Sequence, residues 1–375
     1  MPFRLEPRKE PSALAIYAAP LVSIGLTMAT GAILFTLMGF RGWAAVAQIF
    51  VQPILQPERW PDIAVKASPL VLIATGLAIG FRANVWNIGA EGQYVMGAIA
   101  GTGVALATGG AESHWILLAM LIAGAVGGAL WAAAPAILRI RLKVSEILTS
   151  LMLTYVAIQL LYYLVRGPWR DPQGFNFPQT RMFTEAETVP NLIEGTQLHW
   201  GAVLTLIAVL IAWFVMSRML TGYQVRVVGL APAAARLGGF SENRTVLLAM
   251  LVGGALAGIA GIVECSATFG QLTPNFPLNY GFTAIIVAFL GRLHPIGVLV
   301  AGLALAVSYI GADIAQTASK LPQPATGLVQ AMMLFFLLAV DVLVSYRPLW
   351  GPRTVVAAPP SPAPAMATER AGTPK

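Results

Sequence analysis

Charged residues are scarce in this sequence. Asp, Glu, Lys and Arg make up 10% of its 375 residues, whereas a soluble globular protein carries about 25%. Hydrophobic residues make up 57%, which excludes an ordinary soluble enzyme. The net charge of +7 does not indicate a nucleic-acid partner. The basic residues flank apolar runs and form no basic patch with interleaved aromatic residues.

The sequence is also poor in residues that bind metals or cofactors. Cys265 is the single cysteine, which rules out an internal disulfide and a cysteine-based zinc cluster. His114, His199 and His294 are far apart and lack the spacing of a metal site. No G-x-x-x-x-G-K-[ST] phosphate loop occurs, so any ATP that is used must be bound by another subunit. We expect no metal and no cofactor in this chain.

Long uncharged runs dominate what is present. They are 13–40, 67–81, 92–111, 113–138, 147–165, 195–217, 245–263, 265–291, 293–312 and 321–340. Because a helix needs about 20 apolar residues to cross the hydrocarbon, eight of the ten are long enough as they stand. Run 67–81 is short, and run 265–291 contains the loop signal "FGQLTPNFPLNY". The pattern predicts an all-α polytopic membrane protein, with about ten transmembrane helices and lipid around it.

The basic residues between the runs predict the orientation. With the N-terminus in the cytoplasm, sixteen of the 23 Lys and Arg residues fall on the inside and seven on the outside, as the positive-inside rule requires. Both termini are then cytoplasmic. The resulting domains are a cytoplasmic N-terminus (1–12), a transmembrane domain (13–346) and a disordered, Pro- and Ala-rich cytoplasmic tail (347–375). The transmembrane domain includes an outer loop at 166–199 and a cytoplasmic loop at 218–244.

Polar residues interrupt the hydrophobic pattern in the stretch "NVWNIGAEGQYVMG" (84–97). Asn87 is a suitable N-cap, and Glu91 falls in the first turns of the helix that follows. Polar groups at membrane depth are costly and mark functional sites. We therefore expect a helix that begins within the membrane, with Asn87, Glu91 and Gln93 beside the translocation pathway. The alternatives are a cap at the water boundary, or a carboxylate that holds the break together by accepting hydrogen bonds from backbone N–H groups.

A second interruption lies in the other half of the chain, at "GRLHPIG" (291–297). Interrupted segments in corresponding positions of two halves are a sequence indication of a transport site. Two further carboxylates, Glu264 and Asp313, are predicted at the outer ends of spans, and we expect them to be solvated there.

The cytoplasmic loop contains a predicted short helix. Pro232 suits the first helical position, and Gly238 and Gly239 suit its end. Such a helix either connects two spans or is a docking element for a cytoplasmic partner.

Four segments together resemble a known family: "NIGAEGQ" (87–93), "GLAPAAARLGG" (229–239), "GFTAIIVAFLGRLHPIG" (281–297) and "GLVQAMMLFFLLAVDVL" (327–343). They look like the membrane permease of a bacterial ABC importer. The match is to the nucleoside and simple-sugar branch, related to ribose and branched-chain amino acid permeases, and it covers roughly residues 13–347. Relatives often carry Asn before the proline of the inner helix, where this sequence has Ala231.

The resemblance implies a multi-pass protein of the bacterial inner membrane that works in a complex. A second permease subunit, typically a different chain, completes the pathway. A cytoplasmic ABC ATPase docks on the inner loop, where Gly229, Pro232, Arg236, Gly238 and Gly239 are the coupling residues. An extracytoplasmic substrate-binding lipoprotein delivers the solute. The expected function is nucleoside import, with a simple sugar as the alternative.

Two other classes of function compete with this interpretation. An ion-coupled secondary transporter needs carboxylates within its spans, and Glu91 is the serious candidate. A membrane-embedded enzyme needs a catalytic constellation, and the sequence offers none.

Overall fold

The computed structural model describes residues 3–7, 13–113, 115–277, 279–322 and 324–350, which are almost wholly helical. The helices of the first half are α1 Ala13–Leu37, α2 Gly42–Phe50, α3 Gln52–Leu55, α4 Trp60–Arg82, α5 Ala90–Ala107, α6 Trp115–Leu142 and α7 Glu146–Arg166. Those of the second half are α8 Trp200–Arg218, α9 Leu220–Leu230, α10 Pro232–Leu237, α11 Glu242–Glu264, α12 Tyr280–Leu290, α13 Pro295–Ser319 and α14 Ala325–Ser345. A π-helical turn, Cys265–Phe269, extends α11.

Each of the ten predicted apolar runs contains one of the longer helices, and the all-α prediction is confirmed. Among the described residues, eight helices are long and apolar enough to cross a membrane. The other two helices, α5 and α12, have 18 and 11 residues. At 1.5 Å per residue α12 is only about 16 Å long, roughly half the hydrocarbon thickness. The loop signal before α12 is confirmed, because residues 270–277 and 279 are not helical.

A short antiparallel ribbon joins the two ends of the described chain. Strand β1 (Phe3–Pro7) pairs with β2 (Tyr346–Trp350). The ribbon places the N-terminal segment next to the segment that follows the last helix, on one side of the bundle. Residues 347–350, the start of the tail that we expect to be disordered, lie in β2; the rest of that tail is outside the described residues.

Helices α4 and α11 form the centre of the bundle. The buried share is 83% for the span that contains α4 and 61% for the span that contains α11, against 28% for α6 and 22% for α7. A helix buried on all sides cannot show an amphipathic stripe. The polar residues in the middle of α4, Ser68 and Thr75, and at the end of α11, Glu264, are accordingly buried inside the protein.

Glycines let α5, α6 and α11 cross closely. A Cβ on Gly258 of α11 would collide with the carbonyl oxygen of Gly124 in α6, and one on Gly97 of α5 would collide with the Gly258 backbone. Gly124 and Gly128, like Gly254 and Gly258, are four residues apart and therefore share a helix face. Small residues at this spacing are typical of packed membrane helices. The close crossing fixes the start of α5 against the rest of the bundle.

Candidate functional site: two interrupted helices

The first interruption begins where α4 ends. Asn84 adopts the left-handed conformation, with φ of 56°, and the Val85 N–H donates to the Gly80 carbonyl at 2.9 Å. The Trp86 N–H donates to the Glu146 carboxylate at 3.2 Å, and Glu146 also forms an ion pair with Arg139. The non-helical segment is thereby held against α6 and α7.

Asn87 and Gln93 form a closed pair of amides. The Asn87 Nδ2 donates to Gln93 Oε1 at 2.8 Å, and the Gln93 Nε2 donates to Asn87 Oδ1 at 2.9 Å. Both side chains are buried. The prediction that Asn87 is the N-cap of α5 is wrong, because Gly89 is the N-cap. Asn87 instead accepts a hydrogen bond from the Gly89 N–H at 3.2 Å, which stabilises the turn that leads into the helix.

Glu91 connects the two interruptions. It is the second residue of α5 and is fully buried. Its Oε1 accepts from the Asn279 N–H at 2.9 Å, and its Oε2 accepts from the Gly281 N–H at 2.6 Å. Asn279 is the N-cap of α12 and makes no side-chain capping bond of its own. The Glu91 carboxylate therefore accepts from N–H groups at the start of α12 that have no partner within the helix, and its negative charge complements the α12 dipole.

Aromatic rings pack around both helix starts. Tyr94, one turn after Glu91, stacks on Phe276 with ring centroids 4.8 Å apart. At the other end of α12, Phe289 stacks on Phe81 at 5.2 Å and on Trp86 at 6.0 Å. Offset stacking at these distances contributes beyond the apolar area that it buries. Helix α12 is thus held at both ends by residues of the first interruption.

The predicted second interruption is a tight turn between α12 and α13. Arg292 and Leu293 both have φ of 55°, and Pro295 begins α13. A Cβ on Gly297 would collide with the Gly291 carbonyl oxygen. The two glycines therefore let the ends of the helices touch.

The predicted inner helix is confirmed as α10, with Pro232 at its first position. Gly238 is its C-cap, and Gly239 follows with φ of 78°. Ala231 makes no side-chain capping bond, which agrees with its being a poor cap. Arg236 is exposed. The sequence analysis did not predict α9. This helix has too few apolar residues for a span, and no capping residue separates it from the rest of the loop.

Helix α9 rests on the end of α4. A Cβ on Gly229 would collide with the Arg82 carbonyl oxygen, and Val225 packs with Ala83 and Val85. Of the five predicted coupling residues, Gly229 lies on α9, Pro232 and Arg236 lie on α10, and Gly238 and Gly239 follow α10. The contact of Gly229 with Arg82 places α9 next to the first interruption, a few residues before the Asn87–Glu91–Gln93 group.

Two exposed leucines mark the tip of the inner loop. Leu230 is 87% exposed and Leu237 is 92% exposed. A polar groove of about 470 Å³ is lined by residues of the first interruption, α6, α7 and α11, including Asn84, Arg139, Lys143, Glu146 and Glu242.

The outer loop between Arg166 and Trp200 is tied down by a buried ion pair. Glu187 is fully buried and accepts from both terminal nitrogens of Arg181 at 2.7 and 2.8 Å and from the Thr184 N–H at 2.9 Å. Burial raises the pKa of Glu187, but the hydrogen bonds and charge of Arg181 outweigh it and hold the pKa below its usual range. The loop therefore stays folded at neutral pH.

The expectation that Glu264 is solvated is wrong. This residue ends α11 and is 3% exposed, whereas Asp313 is exposed as expected. No sequence signal separates the two carboxylates, because each follows an apolar run. What differs is that α11 lies in the centre of the bundle.

The sequence is similar to membrane permeases over most of its length. A family model described as "Branched-chain amino acid transport system / permease component" matches residues 61–338. The glucose ABC transporter permease protein TsgB13 of Haloferax volcanii is 34% identical over 92% of this chain and 93% of its own length. The guanosine ABC transporter permease protein NupP of Bacillus subtilis is 30% identical over 84% and 91%. A second Bacillus subtilis protein, the guanosine ABC transporter permease protein NupQ, is 27% identical over 67% and 82%.

Proposed function

The chain belongs to the family of branched-chain amino acid transport system permease components, and from that premise we propose that it forms a membrane pathway for nucleosides. It is the multi-pass permease subunit of an ABC importer in the cell membrane. The observation that carries the nucleoside proposal is the match to NupP over nine tenths of that protein. A simple sugar is the second candidate, favoured by the match to the glucose permease protein TsgB13.

The permease works with partners in this proposal. NupP and NupQ both carry guanosine in their names and occur in one organism, which supports a second, different permease chain. A cytoplasmic ATPase hydrolyses ATP and docks on α10 and the polar groove, and a substrate-binding lipoprotein delivers the solute from outside. Gly229, Pro232, Arg236, Gly238 and Gly239 couple the ATPase to the membrane helices.

Asn87, Glu91 and Gln93 border the translocation pathway by holding two helix starts within the membrane. Support comes from the length of α12, which is too short to cross, and from the two N–H groups that Glu91 satisfies at its start. A membrane helix tolerates a non-helical break only where protein or water satisfies its backbone. Asn87 and Glu91 accept hydrogen bonds from backbone N–H groups at the two breaks, and Gln93 holds Asn87 in place.

Uptake by the assembled transporter tests the proposal. We expect proteoliposomes with this chain, its partner permease, the ATPase and the lipoprotein to accumulate radiolabelled guanosine only when ATP is on the ATPase side. Unlabelled glucose should not compete. Accumulation of glucose instead of guanosine would select the sugar alternative, and uptake driven by an ion gradient without ATP would identify a secondary transporter.

The orientation is tested by thiol labelling. We propose that both termini and loop 218–244 are cytoplasmic and that loop 166–199 faces outward, supported by the Lys and Arg distribution and by the β1–β2 ribbon. In a Cys265→Ser background, single cysteines replace the exposed residues Glu185 and Leu237. An impermeant thiol reagent added to spheroplasts should label position 185 alone. Labelling at 237 alone would reverse the orientation.

A further inference from the structure

A polar cavity lies at the end of the bundle that carries the outer loop. Its volume is about 400 Å³, within the range of small-molecule sites. It is enclosed by α4, α11, the π-helical turn, α13 and the outer loop. Its polar lining residues are Arg59, Asp62, Lys66, Gln197, Glu264, Thr268, Asp313 and Thr317. None of these residues belongs to the Asn87–Glu91–Gln93 group, so the cavity is a separate site.

Lys66 is the central residue of this outer cavity. Its Nζ lies 5.4 Å from the ring centroid of Tyr280 and 5.5 Å from that of Tyr309. Glu264 and Asp313 both attract it electrostatically. Within the described residues, the Lys66 ammonium donates no hydrogen bond to a protein acceptor. Three strong donors are therefore available to a ligand.

Unpartnered polar groups continue beneath Lys66. The Tyr280 hydroxyl is buried without a hydrogen-bond partner in the described part of the chain, as is the Gln330 amide nitrogen. The Tyr309 hydroxyl lies 3.2 Å from Thr283 Oγ1 and 3.4 Å from Gln330 Oε1. Buried polar groups ordinarily find partners. These atoms do not line the cavity; they form a buried polar cluster next to the two tyrosine rings that Lys66 contacts.

Tyr280 also connects this region to the interrupted helices. It is the first residue of α12, between the two residues whose N–H groups Glu91 binds. The Tyr280 ring, whose centroid lies 5.4 Å from the Lys66 Nζ, therefore joins the lysine of the outer cavity to the start of the short helix.

The charges indicate the chemical class of the ligand. An anion that approaches Lys66 also meets the carboxylates of Glu264 and Asp313, and a cation meets the ammonium. The other two charges of the lining, Arg59 and Asp62, form an ion pair with each other and favour neither sign. A neutral, hydroxyl-rich ligand avoids both penalties, because its hydroxyls donate to the carboxylates and accept from the ammonium. The ribose and base of a nucleoside meet this requirement.

We propose that the outer cavity is a binding site in the permease for the neutral nucleoside before it passes the start of α12. Lys66, Glu264 and Asp313 contact the solute. This inference rests on the proposed function, and it adds a site on the permease itself to the one on the delivery protein. The site selects against charged solutes.

Cysteine protection tests this site in the complete transporter. In the Cys265→Ser background, Thr317→Cys places a thiol at the cavity wall, and Ala318→Cys places one on the next residue of α13, also exposed but outside the cavity. Guanosine at about ten times its dissociation constant leaves about a tenth of the sites free, so labelling of position 317 should slow about tenfold. Labelling of position 318 should not change. Leucine, a zwitterion, should protect neither position.

Charge-removing variants complete the test. Lys66→Met and Asp313→Asn, each in the Thr317→Cys background, should abolish protection by guanosine, and size-exclusion chromatography checks that each complex assembles. Arg170→Gln, an exposed change in the outer loop, is the matched control and should keep protection. Should Lys66→Met fail to assemble, the exposed Asp313→Asn decides the result.

Failure of this inference is distinguishable from failure of the proposed function. Guanosine uptake without protection at 317, or with protection that survives both charge changes, overturns the site alone. Protection by glucose and not by guanosine overturns the ligand class. Absence of both uptake and protection overturns the proposed function together with the site.

Discussion

Glu91→Ala is expected to lower the stability, assembly and transport of the complex together. The substitution leaves the N–H groups of Asn279, which is exposed, and of Gly281, which is buried, without their acceptor at the start of α12. A buried N–H without a partner costs about 1–3 kcal/mol, so the free energy of unfolding should fall by about 1–3 kcal/mol from Gly281 alone. Thermal unfolding of the purified complex and its recovery by size-exclusion chromatography measure the loss.

Glu91→Gln separates a structural role from a direct role in the pathway. Its amide keeps one acceptor oxygen but turns an NH₂ group toward the other N–H donor, so we expect an intermediate loss of stability and uptake. Glu112→Gln, an exposed change after the other end of α5, is the control and should behave as wild type. If Glu91→Gln reduced uptake while assembly and thermal stability stayed at wild type, the carboxylate would act on the solute rather than on α12.

The choice between a structural and a solute-binding role for a buried carboxylate depends on contacts that the sequence does not contain. Residues 84–97 reveal a break because polar groups there contradict the hydrophobic pattern on either side. The partner of Glu91 lies 190 residues away, at a helix start that a leucine, an asparagine and a tyrosine do not mark. The glycine crossings among α5, α6 and α11 bring the two breaks together, and their distances are set by packing of the whole bundle.

Local signals predicted local structure well. Apolar length predicted each long helix, and Pro232 with Gly238 and Gly239 predicted α10 to within two residues. The same local reasoning placed the cap of α5 at Asn87, because it weighed an intrinsic capping preference and not the competing bond with Gln93. It also treated Glu264 as solvated, because burial depends on a helix's position in the bundle and not on its own residues.

The inner loop provides two variants that separate docking from transmission. Arg236→Glu reverses an exposed charge on α10 and should weaken binding of the ATPase, so that both ATP hydrolysis by the complex and uptake fall. Gly229→Val should leave docking intact but force α9 away from the Arg82 carbonyl, at a cost of about 1–3 kcal/mol for overpacking. ATP hydrolysis should continue at or near the wild-type rate, because docking on α10 is unchanged. Uptake should fall, because Arg82 leads directly into residues 83–89 of the first interruption.

Pull-down of the ATPase, its hydrolysis rate and guanosine uptake, measured on the same preparations, distinguish these outcomes. Arg218→Glu makes the same charge change at an exposed position at the end of α8 and serves as the control for Arg236→Glu. Gly25→Ala, where a Cβ would meet nothing within 4 Å, is the control for a glycine replaced in a helix. Parallel loss of hydrolysis and uptake in Gly229→Val would place docking on α9 itself, and wild-type uptake in Gly229→Val would remove α9 from the coupling route to the interrupted helices.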